Sequence, residues 1–143
     1  LKNAIDWVSR TKDQPFANED EPVFLYVPAG SDGPKFLMTR NYLVLKGYNF
    51  SDSYAMTVAH LTDRLKGAGP YVTAWPRDAK FPNLAQRMAI QDALRKLGLL
   101  DGTSDGRLGP ITQAAYAKFQ ASRGEVADGF ITAASYDALR GAL

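Results

Sequence analysis

Three stretches of the chain repeat apolar residues at helical spacing, and each carries its own start and stop signals. In the first, Ala55, Val58, Leu61, Thr62 and Leu65 form one stripe. Ser51 or Asp52 stands before it, where a first-turn N–H needs an acceptor, and Gly67 follows, where a left-handed C-cap fits. In the second, the stripe is Leu84, Met88, Gln91, Leu94 and Leu97, between Asn83 as N-cap and Gly98 as C-cap. The third runs from Pro110 to about Arg123, with Ile111, Ala115 and Phe119 on one face. Pro110 suits a first helical turn because its missing N–H would be unpaired there anyway. A short closing helix follows Thr132, and Leu1, Ile5 and Val8 predict another over 1–10.

Strand spacing is confined to one part. Val23–Val27 is β-branched and aromatic, which reads as a buried strand. A Pro- and Gly-rich turn over 28–34 leads to a second, antiparallel strand at Phe36–Met38. Residues 42–45 fit either a strand or a short helix. Residues 67–83 hold three prolines and no periodicity, so they read as a linker, anchored in its middle by Tyr71, Val72 and Trp75. The expected fold is an α+β N-terminal fragment, hairpin plus helices, over 1–66, then an all-α three-helix domain over 84–143. The expected core of that domain is Leu84, Ile90, Leu94, Leu97, Leu108, Ile111, Ala115, Phe119, Val126, Phe130, Tyr136 and Leu139. The N-terminal part should leave an apolar patch around Leu1, Ile5, Trp7, Phe24, Tyr26 and Phe36 unless something covers it.

Charge narrows the partners. The 143 residues carry a net charge of +2, with 10 Lys/Arg against 9 Asp/Glu in residues 1–80 and 7 against 6 in residues 81–143. No basic stripe forms, so nucleic acid is not an expected partner. The absence of cysteine removes disulfides, thiolate nucleophiles and Cys-based zinc sites. His60 is the single histidine and cannot build a zinc site without further ligands. No cofactor is expected. No signal peptide is visible, and Leu1 without a preceding Met points to a mature or truncated piece.

The order Leu94, Leu97-Gly98, Asp101-Gly102, Asp105-Gly106, Gly109-Pro110, Thr112, Ala115, Phe119-Gln120, Gly124, Asp128-Gly129, Leu139 resembles the peptidoglycan-binding domain 1 family. Leu108 departs from it where the family usually has an aromatic. The stretch from Phe36 to Gly67, preceded by PAGSDGPK and followed by Trp75-Pro76-Arg77, is similar to the end of the catalytic domain of B-type lytic murein transglycosylases. That resemblance implies an enzyme that cleaves the MurNAc–GlcNAc bond to an anhydro end with one acid/base carboxyl. The family's catalytic glutamate lies upstream of the part represented here. It also implies that Tyr48-Asn49 contributes to the saccharide cleft. A Tyr ring offers a face to a sugar, and an Asn amide both donates and accepts.

Other residues carry less. Glu19, Glu21 and Glu125 lie in polar loop sequence rather than on an apolar helix face, where a carboxyl would be raised into the working range of a general acid. No catalytic residue is therefore assigned. Asp101, Thr103 and Asp105 alternate as in a calcium loop, but Thr112 stands where a bidentate Glu belongs. In the binding module Arg107, Gln113, Tyr116 and Arg123 are expected to be exposed beside the hallmark residues and able to touch glycan or stem peptide. Arg suits the stem-peptide carboxylates.

The expected function is a peptidoglycan-binding C-terminal portion of a lytic murein transglycosylase that anchors the enzyme and completes one wall of the glycan cleft. The expected partners are peptidoglycan and the upstream catalytic half. The expected location is the periplasm or outer membrane of a Gram-negative bacterium. Two alternatives stay open: part of an intact enzyme whose upstream half is supplied elsewhere, and a protein-interaction module of the envelope.

Overall fold

A computed structural model describes residues 20–143. The helix expected over 1–10, Leu1, Ile5, Trp7 and Glu19 lie outside the described residues. The elements are β1 (Phe24–Tyr26), β2 (Phe36–Met38), α1 (Arg40–Asn49), α2 (Asp52–Leu65), α3 (Leu84–Lys96), α4 (Pro110–Ser122) and α5 (Ala133–Arg140). The fold class is α+β, an antiparallel hairpin followed by five helices, as expected. Contacts divide the chain into two compact units. Among the described residues one holds 20–28 and Gly33–Trp75, and the other holds Ala29–Asp32 and Pro76–Leu143.

In the first unit β1 and β2 pair as Phe24↔Met38, Leu25↔Leu37 and Tyr26↔Phe36. Three pairs in a two-stranded sheet bury little. Phe24 and Leu25 are accordingly exposed, which corrects the reading of β1 as buried. The ambiguous stretch at 42–45 is helical, inside α1. Tyr42 decides it by packing on Phe24 and Tyr26, ring centroids 5.8 and 6.0 Å away. Met38, Tyr42 and Ala55 are the buried centre, with Tyr26, Phe36, Leu45 and Met56 against it. Ser51 caps α2, its Oγ accepting from Tyr54 N–H at 3.2 Å. Gly67 closes the helix at φ +88°. Of the predicted α2 stripe Ala55 is buried, while Leu61 and Leu65 are exposed. The linker's middle is anchored as expected, by Tyr71 on Phe36 at 5.2 Å and on Trp75 at 6.1 Å, though Val72 is exposed.

The second unit follows its punctuation closely. Asn83 and Gln86 form a reciprocal box at the start of α3, with N···O distances of 2.9 and 3.0 Å. Pro110 opens α4, and Ser135 Oγ reaches back to accept from Thr132 N–H at 3.0 Å at the start of α5. Ile90, Leu94 and Leu139 are fully buried, among Ala93, Leu100, Ala115, Tyr116, Phe119 and Ile131. Each of the three is worth roughly 1.5–3 kcal/mol of transfer free energy. Leu97, Leu108 and Tyr136 pack against this core half-buried. Leu84, Ile111 and Val126 are exposed, which corrects their assignment to it.

Candidate functional site

In the first unit the candidate residues sit at the α1–α2 corner. α1 ends at Asn49, and Phe50 reverses the chain in the left-handed region at φ 47° before Ser51 starts α2. Half-buried Asp52 locks the corner. The Tyr42 hydroxyl donates to Asp52, and Lys46 Nζ lies 2.7 Å from its Oδ1. Burial alone would push the Asp52 carboxyl up, but the Lys46 and Tyr42 donors outweigh it and hold the carboxyl below its ordinary range. Burial first, and then the hydrogen bond to Asp52, push the Tyr42 hydroxyl far above its usual value, so it remains a donor.

The locked corner turns Tyr48 and Asn49 outward. Tyr48 is 82% exposed and Asn49 is exposed beside it. One face of the Tyr48 ring stacks on Tyr54, centroids 6.0 Å apart and planes 24° apart. The sequence reading missed Tyr54 as a member of this group. Its signal was its place in the first turn of a helix capped by Ser51, which folds it back toward the end of α1.

In the second unit two turns are built alike. Gln91, buried in α3, accepts from Gly106 N–H through Oε1 at 2.7 Å and donates through Nε2 to Asp105 Oδ1 at 3.0 Å. Gln120, buried in α4, accepts from Gly129 N–H at 2.8 Å and donates to Asp128 Oδ1 at 2.9 Å. In each turn Oδ1 also accepts the N–H two residues on, from Arg107 and from Phe130, both at 2.9 Å. Both glycines have positive φ, +73° and +68°. A helix follows each turn at the same interval, with Gly109 and Thr132 as N-caps. Gln91 Nε2 further donates to the Arg107 carbonyl at 3.1 Å.

The four binding candidates of this unit do not converge. Arg107 is exposed on the first turn. Gln113 is exposed one helical turn later, and its amide donates to the Leu108 carbonyl at 3.2 Å. Arg123 lies at the far end of α4, roughly 15 Å from Gln113 along the helix. There it pairs with Glu125 at 2.8 Å and covers the Phe119 ring at 5.6 Å. Tyr116 is not exposed: it retains 5% of its surface and packs on Phe119 in the core. The expectation of an exposed Tyr116 is therefore corrected. The α4 core face runs through Thr112, Ala115, Tyr116 and Phe119, so a tyrosine there points inward.

No group of His, Asp and Glu among the described residues could hold a metal ion, and no described helix is long and apolar enough to cross a membrane. His60 is half-buried against Tyr71.

Residues 3–63 match the transglycosylase SLT domain family, and residues 83–139 match the peptidoglycan binding domain family. The chain joins a transglycosylase SLT domain to a peptidoglycan binding domain. Both resemblances read from the sequence are thereby borne out. Two crystal structures of SltB3 from Pseudomonas aeruginosa are similar. The one in complex with NAG-anhNAM-pentapeptide is 37% identical with a TM-score of 0.80, and the one with NAG-NAM-pentapeptide is 38% identical with a TM-score of 0.81. Each alignment covers 89% of this chain and 34% of the SltB3 chain, so the present chain spans about a third of the length of those relatives. No curated protein matches it.

Proposed function

We propose that this chain is the wall-holding C-terminal portion of a lytic murein transglycosylase. The second unit anchors the enzyme to peptidoglycan, and the α1–α2 corner completes one wall of the glycan cleft through Tyr48 and Asn49. The observation that carries this reading is the outward pair Tyr48-Asn49, held by the Asp52 lock in a chain that also bears a peptidoglycan binding domain match. The free face of the Tyr48 ring suits a sugar face, and the Asn49 amide suits N-acetyl and hydroxyl groups. That SltB3 is crystallised with a disaccharide pentapeptide supports the same ligand class here.

The acid/base glutamate is supplied from outside this chain. Glu125 is engaged by Arg123, and Glu21 lies beside the acidic loop ahead of β1. Peptidoglycan and an upstream catalytic half are thus the partners, in the periplasm or at the outer membrane of a Gram-negative cell.

The test is direct. The purified chain should co-sediment with isolated sacculi and release no anhydromuropeptides from them. Tyr48→Ala and Asn49→Ala should each weaken binding of a peptide-free glycan oligomer several-fold, and Asn49→Ala should do so without moving the melting temperature, whereas Tyr48→Ala also loses the stack on Tyr54. Release of anhydromuropeptides by the chain alone, or no co-sedimentation at moderate salt, would sink the reading.

A further inference from the structure

The two Asp-Gly turns share their inner bonds but differ on the outside. In the second turn the outer carboxylate oxygen, Asp128 Oδ2, accepts the backbone N–H of Ser31 at 2.6 Å. The same segment lies close against the residue two positions on: a Cβ added to Gly30 would meet the Phe130 side chain at 2.9 Å. This turn therefore already holds a piece of turn backbone, with the Ser31 N–H on the carboxylate and the preceding residue, Gly30 at φ +73°, against the side chain at position Asp+2.

In the first turn the matching oxygen, Asp105 Oδ2, takes no hydrogen bond from another of the described residues, and Asp105 is exposed. Its carboxylate is nonetheless fixed, because Oδ1 accepts from both Gln91 and Arg107 N–H, and Gln91 is buried. The position of Phe130 is taken by Arg107, which is exposed and in no ion pair among the described residues. Beside Gly106 lie Leu84 and Met88, both exposed: a Cβ on Gly106 would meet them at 2.6 and 3.4 Å.

We infer that Asp105 and Arg107 form a binding site for a peptide C-terminus. The terminal amide N–H donates to Asp105 Oδ2, as Ser31 does to Asp128. The terminal carboxylate pairs with the Arg107 guanidinium, whose planar fork matches it. Leu84 and Met88 give an apolar floor for a small side chain. Replacing Phe130 by Arg at the equivalent place changes the ligand from an internal, uncharged segment to one that ends in a carboxylate. Arg107 balances two carboxylates at once, so the site rejects an anion that lacks the N–H. This inference rests on the peptidoglycan reading and deepens it, by assigning this turn to the stem peptide rather than to the glycan strand.

The experiment titrates the 15N-labelled full chain with three probes: a stem pentapeptide with a free C-terminus, the same peptide amidated there, and a peptide-free glycan tetramer. The free acid should move the Gly106 and Arg107 amide signals. Amidation, Arg107→Gln and Asp105→Asn should each weaken binding at least tenfold. Asp105→Asn keeps an Oδ1 acceptor but turns the outer atom into a donor facing a donor. If that variant loses its fold, the amidated peptide and Arg107→Gln decide alone. Equal shifts with the glycan tetramer, or no loss on amidation and with Arg107→Gln, overturn the site. Sacculus co-sedimentation of the wild type separates the two failures. Its presence leaves the peptidoglycan reading standing without this site, and its absence removes both.

Discussion

The His60 imidazole lies flat against the ring of Tyr71, centroids 4.0 Å apart and planes 23° apart. Tyr71 also meets Phe36 and Trp75, so one ring ties the segment after α2 to both the hairpin and the helix. Aromatic pairs add about 0.5–1.5 kcal/mol each beyond area burial. Tyr71→Ala should therefore destabilise the first unit by about 2–3 kcal/mol. Val72→Ala, one residue on and exposed, should change it by less than about 0.5 kcal/mol. Chemical denaturation followed by tryptophan fluorescence reads both.

Asp128 makes the second unit sensitive to acid. Burial pushes its carboxyl up, but the Phe130 N–H, the Gln120 amide and Ser31 outweigh that and hold it below the ordinary value of 3.8. A carboxyl depressed in the folded state contributes stability that is fully present above the unfolded value and is lost as pH falls through the folded one. Stability should thus begin to decline near pH 3.8 and continue to decline below it. Asp128→Asn should cost about 1–2 kcal/mol at neutral pH and flatten that decline. Thermal melts between neutral pH and strong acid supply the comparison, and an unchanged acid slope in the variant would contradict this account.

Two glycines with nearly the same φ should respond differently to alanine. Gly98 (φ +70°) closes α3 into open space, so Gly98→Ala meets the left-handed penalty of about 1–2 kcal/mol and little else. Gly129 (φ +68°) has the Gln113 carbonyl oxygen 2.7 Å from where a Cβ would stand. That oxygen is backbone and cannot swing away. Gly129→Ala should cost at least about 2 kcal/mol more than Gly98→Ala, measured by calorimetry of the full chain.

Phe50 is the one non-glycine residue with positive φ among the described residues, and its ring is 87% exposed. A bulky residue there is strained without gaining burial. Phe50→Asn, which tolerates the left-handed region, should raise stability by up to about 1 kcal/mol. A melting temperature that falls instead would mean the ring has packing that its exposure does not suggest.

Punctuation was the most legible part of the sequence. Ser51, Asn83, Pro110 and Thr132 open helices where their chemistry says, and Gly67 and Gly98 close them. Azimuth was the least legible. Helical spacing gives Leu84, Met88 and Leu94 a common stripe, but Ile90, Ala93 and Leu94 set the buried face of α3, and Leu84 and Met88 fall away from it beside Gly106. A stripe is a pattern within one helix, and nothing local says which edge of it a neighbour will cover. In α4 the same ambiguity hid Thr112, which is buried because Gln91 reaches it at 3.4 Å, while the more apolar Ile111 is exposed. Polar core positions such as Gln91 and Gln120 need a partner from a distant turn, and that partner has no local signature. Tyr116 was misplaced for the same reason: beside Ala115 on α4 it could face either way until α3 and α5 set the inside.

The Ser31–Asp128 bond makes the second unit discontinuous along the chain. A clone that begins at Pro76 contains α3, α4 and α5 whole, yet it omits the Ala29–Asp32 segment that caps Asp128 and lies on Phe130. Excising the apparent domain at the prolines therefore uncovers one oxygen and one ring that the longer chain protects. Such a fragment shows solvent a ring and a carboxylate that the longer chain holds, so its solubility is not that of the same residues in place.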